Sequence, residues 1–439
     1  PSGWLVRWIS PWLTDWTLPP DWATVQDLWG LSLTLGLVIK ELPFLWLVCL
    51  VALKQINVAK QMSLAQSLGY SHSLAWRKII IPQLYPLIRL PVMVVLVYAL
   101  STVDMAQILG PNNPPTLALV TMRLYTDANA QMLLPASAAA ISLAMLMVVS
   151  ILLWEVCVRG LMLINKVSIR SGGRASKWTL LGTTLITALP ISFILGLLSL
   201  LVLAIWSITW RWSFPEAWPT SWSFDYWLQL LTEWPLALKH SLITALISSG
   251  LALMLAVIWL EVQDRFGGHF YRATLWLIYL PLLVPQIAFL YGLKVSFLRL
   301  GLSGGIGTVI WAHLLFVFPY VMLSLVDSWR ALDQRYLSVA KSLGSSSWTC
   351  LWRIKLSLLL RPLLIAWAIG MAVSISQYLP TLLIGAGRVE SLTTEAVSLA
   401  SGADRRLVGV YGLLQALVPL LAYSCALLLP RWVALKHIK

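Results

Sequence analysis

Long apolar runs constrain the fold of this sequence more than any other feature. Crossing a bilayer takes about 20 apolar residues, and outside a closed barrel only a helix satisfies its own backbone hydrogen bonds in lipid. Of the 439 residues, 59% are hydrophobic and 11% are charged, whereas about 25% are charged in soluble proteins. The sequence therefore predicts an all-α membrane protein. The nine predicted spans are 31–53, 87–109, 136–158, 179–206, 240–260, 273–293, 308–328, 363–384 and 407–429.

Basic residues are divided unevenly between the segments that connect these spans. Alternate segments hold 21 Lys and Arg residues on one predicted side and 9 on the other. Because cytoplasmic loops retain positive charge, we expect the richer set, which includes the C-terminus, to be cytoplasmic. The same rule explains the 31 Lys and Arg against 17 Asp and Glu. We therefore expect contact with membrane lipid and no nucleic-acid partner.

The sequence repeats itself at a shift of 275 residues. The repeat covers a cytoplasmic segment, the next span and the start of an outer segment, so topology repeats with sequence. Two homologous halves in one orientation suggest a fused pseudo-dimer around a central path. Among the matched pairs are Ala65 with Ala340, Gly69 with Gly344, Ser101 with Ser376, Gly110 with Gly385 and Leu117 with Leu392.

This register predicts the domain organisation. Residues 1–158 would form the C-terminal part of a first half, 159–178 a basic cytoplasmic linker, and 179–439 a second half. The spans that begin at 179, 240 and 273 have no counterpart in the first half. We therefore expect three crossings to be missing from the amino end, and the intact chain to have twelve.

Two predicted cytoplasmic segments contain the same short pattern, Ala-x-x-x-Gly. Each reads as a short helix that ends at glycine, because glycine adopts a left-handed conformation without steric strain. A second short amphipathic helix then leads into the next span. We expect the small side chains to face the cytoplasm, so that another protein can approach closely. The pattern is carried by Ala65, Gln66, Gly69 and the downstream Pro82, and by Ala340, Lys341 and Gly344.

At these residues the chain resembles the permease subunits of binding-protein-dependent ABC importers. Their cytoplasmic signature is Glu-Ala-Ala, three residues, then Gly, with a hydrophobic residue and Pro downstream. In this chain Leu64 and Val339 stand at the Glu position, and Ser357 replaces the downstream Pro of the second copy. The resemblance covers nearly the whole chain. It is closest to fused two-half permeases of the thiamine and ferric-iron importer kind, particularly the YnjC-like branch.

The resemblance implies a fold, partners and a location. The fold would be two homologous MetI-like permease halves, with nine transmembrane helices in this sequence. Each loop would form a coupling helix seated in a cleft of a cytoplasmic ABC ATPase dimer, and an extracytoplasmic substrate-binding protein would deliver the substrate. The chain would lie in the bacterial inner membrane as a multi-pass protein with a cytoplasmic C-terminus. ATP hydrolysis would belong to the partner, so we expect no cofactor and no catalytic or metal-binding residue here.

Polar residues within spans are candidates for the substrate path, because a charge in hydrocarbon costs roughly 2.5 to 3.5 kcal/mol on insertion scales. Interhelical hydrogen bonding is the alternative role for such side chains. Asp104 has no basic residue within one turn, so it needs water, a residue of another helix or a cationic substrate. The path candidates are Ser101 and Asp104, spaced with Ile108 for one helical face, and Ser374 and Gln377, spaced with Thr381.

Three other polar residues in spans have less specific expected roles. His313 is expected to be hydrogen-bonded inside the bundle. Glu155 is expected to reach the interface or pair with the basic linker. Lys40 and Glu41 point about 100° apart on a helix, so a direct pair between them is unfavourable.

Two functions of other classes remain open at the level of sequence. An ion-coupled secondary transporter also uses repeats and midplane sites, but it needs ionisable relays and no cytoplasmic Ala-x-x-x-Gly helices. A membrane-embedded enzyme is disfavoured, because no cluster of carboxylate, His or Cys residues is evident. No segment fits the Gly-x-x-x-x-Gly-Lys-[Ser/Thr] loop that cradles nucleotide phosphates. ATP chemistry is therefore expected in a partner.

Overall fold

The computed structural model describes residues 4–14, 16–18, 25–170, 179–229, 234–266, 271–302, 304–402 and 404–436. These residues are almost entirely helical, so the all-α prediction is confirmed. In this part of the chain the β-structure is one short antiparallel pair, β1 (Thr209–Arg211) and β2 (Ser221–Trp222).

The helices in the first part of the chain are α1 (Trp4–Ile9), α2 (Leu31–Leu53), α3 (Val58–Ser67), α4 (His72–Ala75), α5 (Ile81–Ser101), α6 (Asp104–Leu109), α7 (Leu117–Tyr125), α8 (Leu133–Arg170) and α9 (Thr179–Ser207). Those that follow are α10 (Asp225–Gln229), α11 (Trp234–Phe266), α12 (Tyr271–Leu283), α13 (Gln286–Arg299), α14 (Ile306–Arg330), α15 (Gln334–Ser342), α16 (Ser347–Thr349), α17 (Leu356–Leu358), α18 (Leu360–Ile375), α19 (Leu379–Gly385), α20 (Leu392–Ala400) and α21 (Arg405–Lys436). Shorter π-helical segments are Ser10–Thr14, Trp76–Ile80 and Cys350–Lys355, and Ala130–Met132 is a 3-10 turn.

Seven described helices are long and apolar enough to cross a membrane, judged by length and composition. Two bent pairs raise the number to nine if each pair is one span. These are Leu277–Leu283 with α13, at 113°, and Ser347–Leu358 with α18, at 74°. Each predicted span therefore has a counterpart. Pro285 stands at the first bend, where its missing N–H interrupts the helical hydrogen bonds.

The predicted spans 87–109 and 363–384 are wrong as single helices, because each is interrupted toward its end. Thr102, between α5 and α6, has an extended backbone with φ −63° and ψ 127°. Residues 376–378 separate α18 from α19 in the same way. A signal for the second break was present in the sequence, since Pro380 lies in the first turn of α19, where proline favours a helix start.

The chain divides into two compact units, unit 1 (residues 1–202) and unit 2 (residues 203–439). Within each unit the helices follow the sequence repeat of 275 residues. This boundary lies inside α9, later than the predicted linker, and the assignment of permease halves to 1–158 and 179–439 stays a prediction. Matching helices begin at 31 and 306 (α2, α14), 104 and 379 (α6, α19), and 117 and 392 (α7, α20).

The predicted linker 159–178 is not an irregular segment over its first part. α8 continues as one helix through residues 159–170, and residues 171–178, which include the expected Ser-Gly-Gly turn, lie outside the described residues. No proline interrupts residues 159–170 and the apolar pattern continues there, which favours a helix.

In unit 1 the start of α2 is capped by Asp27. Its Oδ2 accepts a hydrogen bond from the Leu31 backbone at 2.7 Å, and its Oδ1 accepts from the Ser32 backbone at 2.9 Å and from the Ser32 hydroxyl at 2.5 Å. The Ser32 hydroxyl, followed by these backbone N–H groups, lowers the pKa of Asp27 to about 2. A carboxylate charged at neutral pH suits the positive end of the helix dipole.

In unit 2 the core is formed by α11, α14 and α18. Small residues permit close packing, the usual basis of helix association in membranes. A Cβ added at Gly370 of α18 would lie 2.9 Å from the Val321 side chain and 3.0 Å from that of Ser249. Several alanines at the helix contacts are fully buried: Ala245, Ala312, Ala366 and Ala368.

Candidate coupling loops and translocation path

The two Ala-x-x-x-Gly helices end in the same backbone geometry. Gly69 has φ 83° and Gly344 has φ 81°, the left-handed conformation that favours glycine. In the first loop the Gly69 N–H donates to Gln66 O at 2.9 Å, and the next N–H donates to Ala65 O at 3.0 Å. The second loop repeats both bonds at 3.0 Å. This pairing is a Schellman cap, and it confirms the predicted glycine helix stops.

The expectation that the alanines face the cytoplasm is wrong. Ala65 is buried in a cluster with Met62, Ala75 and Ile80, and Ala340 is also buried. Residues three or four apart share one helical face, so the alanines belong to the face that packs on the chain itself. They allow close approach of this chain's own helices instead of a partner's.

The outward faces of α3 and α15 carry apolar side chains at matched positions. Leu64 and Leu68 are 56% and 63% exposed, and Val339 and Leu343, their counterparts at the repeat shift, are 59% and 81% exposed. Each pair lies four residues apart and therefore on one face. Four exposed aliphatic side chains at repeated positions mark two equivalent surfaces. The predicted residues Gln66 and Lys341 are also exposed on these helices.

Both loops continue through π-helical segments before the next long helix. Trp76–Ile80 leads into α5 and Cys350–Lys355 leads into α17. The predicted second short helix is thus present as α4, or α16, with its π-helical continuation. Pro82 lies in the first turn of α5, where a missing N–H costs little.

In unit 1 the break between α5 and α6 carries a charged network. Asp104 Oδ1 accepts a hydrogen bond from Thr102 Oγ1 at 2.7 Å, and Thr102 Oγ1 lies 3.4 Å from Tyr98 Oη. Lys40 of α2 donates to Tyr98 Oη, with Nζ 4.1 Å from the ring centroid. The cation near Asp104 is therefore a residue of another helix, one of the three sources expected from sequence.

The predicted common face of Ser101, Asp104 and Ile108 is wrong, because the helix is interrupted between the first two. Ser101 is buried and donates to Val97 O at 2.8 Å. That bond satisfies the hydroxyl within α5. Of the two unit 1 path candidates, only Asp104 takes part in contacts between helices.

In unit 2 the break between α18 and α19 carries a neutral network. His313 of α14 places Nδ1 2.9 Å from Ser374 Oγ and Nε2 2.9 Å from Thr381 Oγ1. Ser248 of α11 donates to Ser374 Oγ at 3.1 Å. A neutral imidazole donates at one ring nitrogen and accepts at the other, so His313 joins the two sides of the break. The expected hydrogen-bonded role of His313 is confirmed.

A small polar cavity of about 10 Å³ adjoins this network, with room for about one water molecule. Gln377 lies in the break itself, with 7% of its surface exposed and Oε1 lacking a hydrogen-bond partner. Ser374, Gln377 and Thr381 do not share a continuous helix, so their predicted common face is wrong. The cavity is lined by His240, Ser241, Thr244, His313, Ser374, Ile375, Thr381, Val389 and Ser391.

Sequence reasoning singled out several of these residues without their partners. Lys40 and Asp104 were both noted, but Tyr98, which connects them, was not. Glu155 pairs with Arg89 of α5 at 2.8 Å instead of with the linker. Arg89 and Glu155 are 66 residues apart, a separation at which sequence spacing carries no contact information. Among the described residues, no group of three or more His, Cys, Asp or Glu is placed to hold a metal ion.

The chain is similar to named bacterial permeases. It is 32% identical over 419 residues to the inner membrane ABC transporter permease protein YnjC of Escherichia coli (strain K12), covering 94% of this chain and 75% of that protein. It is 25% identical over 160 residues to the spermidine/putrescine transport system permease protein PotC of Haemophilus influenzae, covering 36% of this chain and 62% of PotC.

A third similarity is to the molybdenum transport system permease protein ModB of Mycobacterium tuberculosis, 32% identical over 164 residues, 35% of this chain and 62% of ModB. No family model matches the chain. These relatives are named as membrane permease subunits and not as enzymes. The near-complete match to YnjC, with the all-helical membrane fold, shows that this chain belongs to the permease subunits of ABC transporters.

Proposed function

We propose that this chain forms the substrate path of an ABC importer in the bacterial inner membrane and couples to a separate ATPase dimer through its two Ala-x-x-x-Gly loops. An extracytoplasmic binding protein supplies the substrate, and the C-terminus lies in the cytoplasm. The relatives are named as ABC and substrate-transport permeases, which supports this role over an ion-coupled transporter.

The observation that carries the coupling proposal is the identical design of the two loops. Each has a Schellman-capped helix, an inward alanine and an outward aliphatic pair on a basic segment. Exposed aliphatic pairs are costly to leave in water, and a partner surface on each loop would cover them. Two equivalent surfaces suit a dimeric partner whose subunits offer the same site twice.

We propose that the two interrupted helices line the path. Both interruptions place polar side chains within otherwise apolar helices, and irregular backbone at membrane depth is tolerated where it is buried in protein or lines a cavity. In unit 1 this proposal rests on Asp104, and in unit 2 on Ser374 and Gln377. Ser101 lies at the end of α5, beside the same interruption.

The coupling proposal is tested by placing a charge on each aliphatic pair. Leu68→Asp and Leu343→Asp are expected to abolish co-purification of the ATPase, because each buries a carboxylate without a partner at the interface. Both residues are exposed, so insertion and yield should not change. The measurement is the amount of ATPase retained per permease after purification in detergent.

The matched controls are Gln55→Asp and Gln334→Asp. Both add the same charge to exposed positions of the same two loops, outside the aliphatic pairs. They should retain the ATPase at the level of the unmodified chain. Equal retention by Leu68→Asp, Leu343→Asp and the controls would show that the ATPase does not dock on these helices.

A further inference from the structure

A buried cluster of charges joins the second loop to the core helices of unit 2. Lys355, the last residue of the π-helical segment, is 2% exposed. Its Nζ lies 3.0 Å from Glu261 Oε2 and donates a hydrogen bond to Asp264 Oδ2, both on α11. Trp329, at the end of α14, donates from Nε1 to Asp264 Oδ2 at 2.9 Å. Lys355 Nζ also lies 4.1 Å from the centroid of the Trp329 ring.

The charges in this cluster balance. Arg265 Nε lies 2.8 Å from Glu261 Oε1, which gives two cations and two carboxylates in all. Arg265 also donates to the backbone oxygen of Ser347, in the second loop, at 3.4 Å. Removing one member of a buried ion pair leaves an uncompensated charge, which is much costlier than the pair itself is favourable. We call Lys355, Glu261, Asp264, Arg265 and Trp329 the loop clamp.

The loop clamp lies at a mechanically significant point of unit 2. Lys355 precedes the 74° bend between Ser347–Leu358 and α18, and π-helical segments often occur at functional sites. Along α14, Trp329 and His313 are 16 residues apart, or about 24 Å at 1.5 Å per residue. A displacement of the second loop therefore reaches α14 at Trp329, and His313 at the path break.

Unit 1 has no such clamp at the equivalent position. The residue that corresponds to Lys355 at the repeat shift is Ile80, which is buried among apolar side chains. The nearby Lys78 donates to the backbone oxygen of Ser168 at 2.7 Å, a neutral acceptor on α8. The two loops are thus attached to their units by different chemistry.

We propose that Lys355 is a positioning residue that transmits the movement of the second loop to α11 and α14, and so opens and closes the polar break at His313. This rests on the proposed function, in which the ATPase moves that loop. Only unit 2 would be driven through a charged joint. The first loop would act through apolar packing and a backbone hydrogen bond.

The test needs no transported substrate, because it follows the break directly. A reporter, Thr244→Cys, is placed at the cavity in a chain whose four native cysteines are replaced by alanine. The permease is purified with its ATPase, and the labelling rate of the reporter by N-ethylmaleimide is measured with and without Mg-ATP. In the parent chain, Mg-ATP should change the rate at least about fivefold, the lower range of allosteric coupling.

Lys355→Met should abolish this ATP-dependent change, while the ATPase stays bound and the rate without ATP stays the same. A merely structural role would instead alter the rate without ATP, so the two roles are separated. Lys355→Arg keeps the charge and should restore at least part of the response. Arg361→Met, an exposed cation on α18 that forms no ion pair within the described residues, should leave the response intact.

If Lys355→Met does not accumulate, Trp329→Phe keeps the ring and removes only the donor to Asp264, and should weaken the response. A full response in either variant would overturn the role of the clamp, as would an unchanged reporter in the parent chain. Failure of the parent chain to bind any ATPase would instead overturn the proposed function. Binding and response are measured on the same sample, so these failures are distinguishable.

Discussion

At the scale of single residues, the charge on Asp104 is explained by Lys40. The carboxylate bonds Thr102, and Tyr98 lies between Thr102 and Lys40, so an acid and a base meet through two hydroxyl groups. In hydrocarbon each charge alone would be costly. The pair therefore makes both tolerable at the break after α5, without requiring a cationic substrate.

This arrangement predicts that Asp104 and Lys40 are energetically coupled. Asp104→Asn and Lys40→Met should each lower the thermal stability in detergent, because each leaves the other charge without its partner. The double variant should be more stable than the sum of the single effects predicts, by about 1 kcal/mol, within the usual range for residues of one network. The measurement is a double-mutant cycle of melting curves.

The same variants separate the path role of Asp104 from its packing role. Uptake of the ligand carried by the cognate binding protein should fall in Asp104→Asn even where the double variant is stable. Glu155→Gln, which removes a carboxylate paired elsewhere in unit 1, is the matched control. Normal uptake by Asp104→Asn would remove this residue from the path.

At the scale of elements, the two Schellman caps fix where α3 and α15 end and hence where their outward faces point. Gly69→Val and Gly344→Val should each cost about 1 to 2 kcal/mol, because a β-branched residue at a left-handed position is strained. We expect lower ATPase retention with normal membrane insertion. Retention is measured after purification, and insertion by membrane fractionation.

Asparagine provides the control for these two glycines. Gly69→Asn and Gly344→Asn should retain most of the ATPase, because asparagine tolerates left-handed helix ends. The space around Gly344 also admits a side chain, since no atom lies within 4 Å of an added Cβ. Equal behaviour of valine and asparagine would mean that the caps do not position a docking surface.

Sequence reasoning located the elements better than their interruptions. Hydropathy located all nine spans, and glycine chemistry located both helix stops, because these signals lie within a few residues. It missed the breaks at Thr102 and at 376–378, since no glycine or proline stands in either. It also reversed the role of Ala65 and Ala340, because small residues suit either face of a helix.

The partners of the polar side chains could not be predicted for a different reason. Lys355 and Glu261 are 94 residues apart, and His313 and Thr381 are 68 apart. Spacing within one helix predicts neighbours at three or four residues only. Contacts between helices depend on how α11, α14 and α18 pack, and a single sequence does not specify that packing.

At the scale of the whole molecule, the account requires one orientation in the membrane. Reporters placed after Lys439 and within the segment 159–178 should respond as cytoplasmic, and one near Asn112 as extracytoplasmic. The reason is the retention of basic segments on the inner side. The measurement is the activity of compartment-specific reporter fusions, and a cytoplasmic response at Asn112 would overturn the orientation.

The central claim is that both loops contact the ATPase, and cross-linking tests it most directly. A photoreactive group is attached to Leu68→Cys, Leu343→Cys or Asn112→Cys in a chain whose other cysteines are replaced by alanine, and membranes that contain the assembled transporter are illuminated. The account predicts that the groups at 68 and 343 each cross-link to the ATPase and that the group at 112 does not. Absence of cross-links at both 68 and 343, with the ATPase present in the complex, would contradict it.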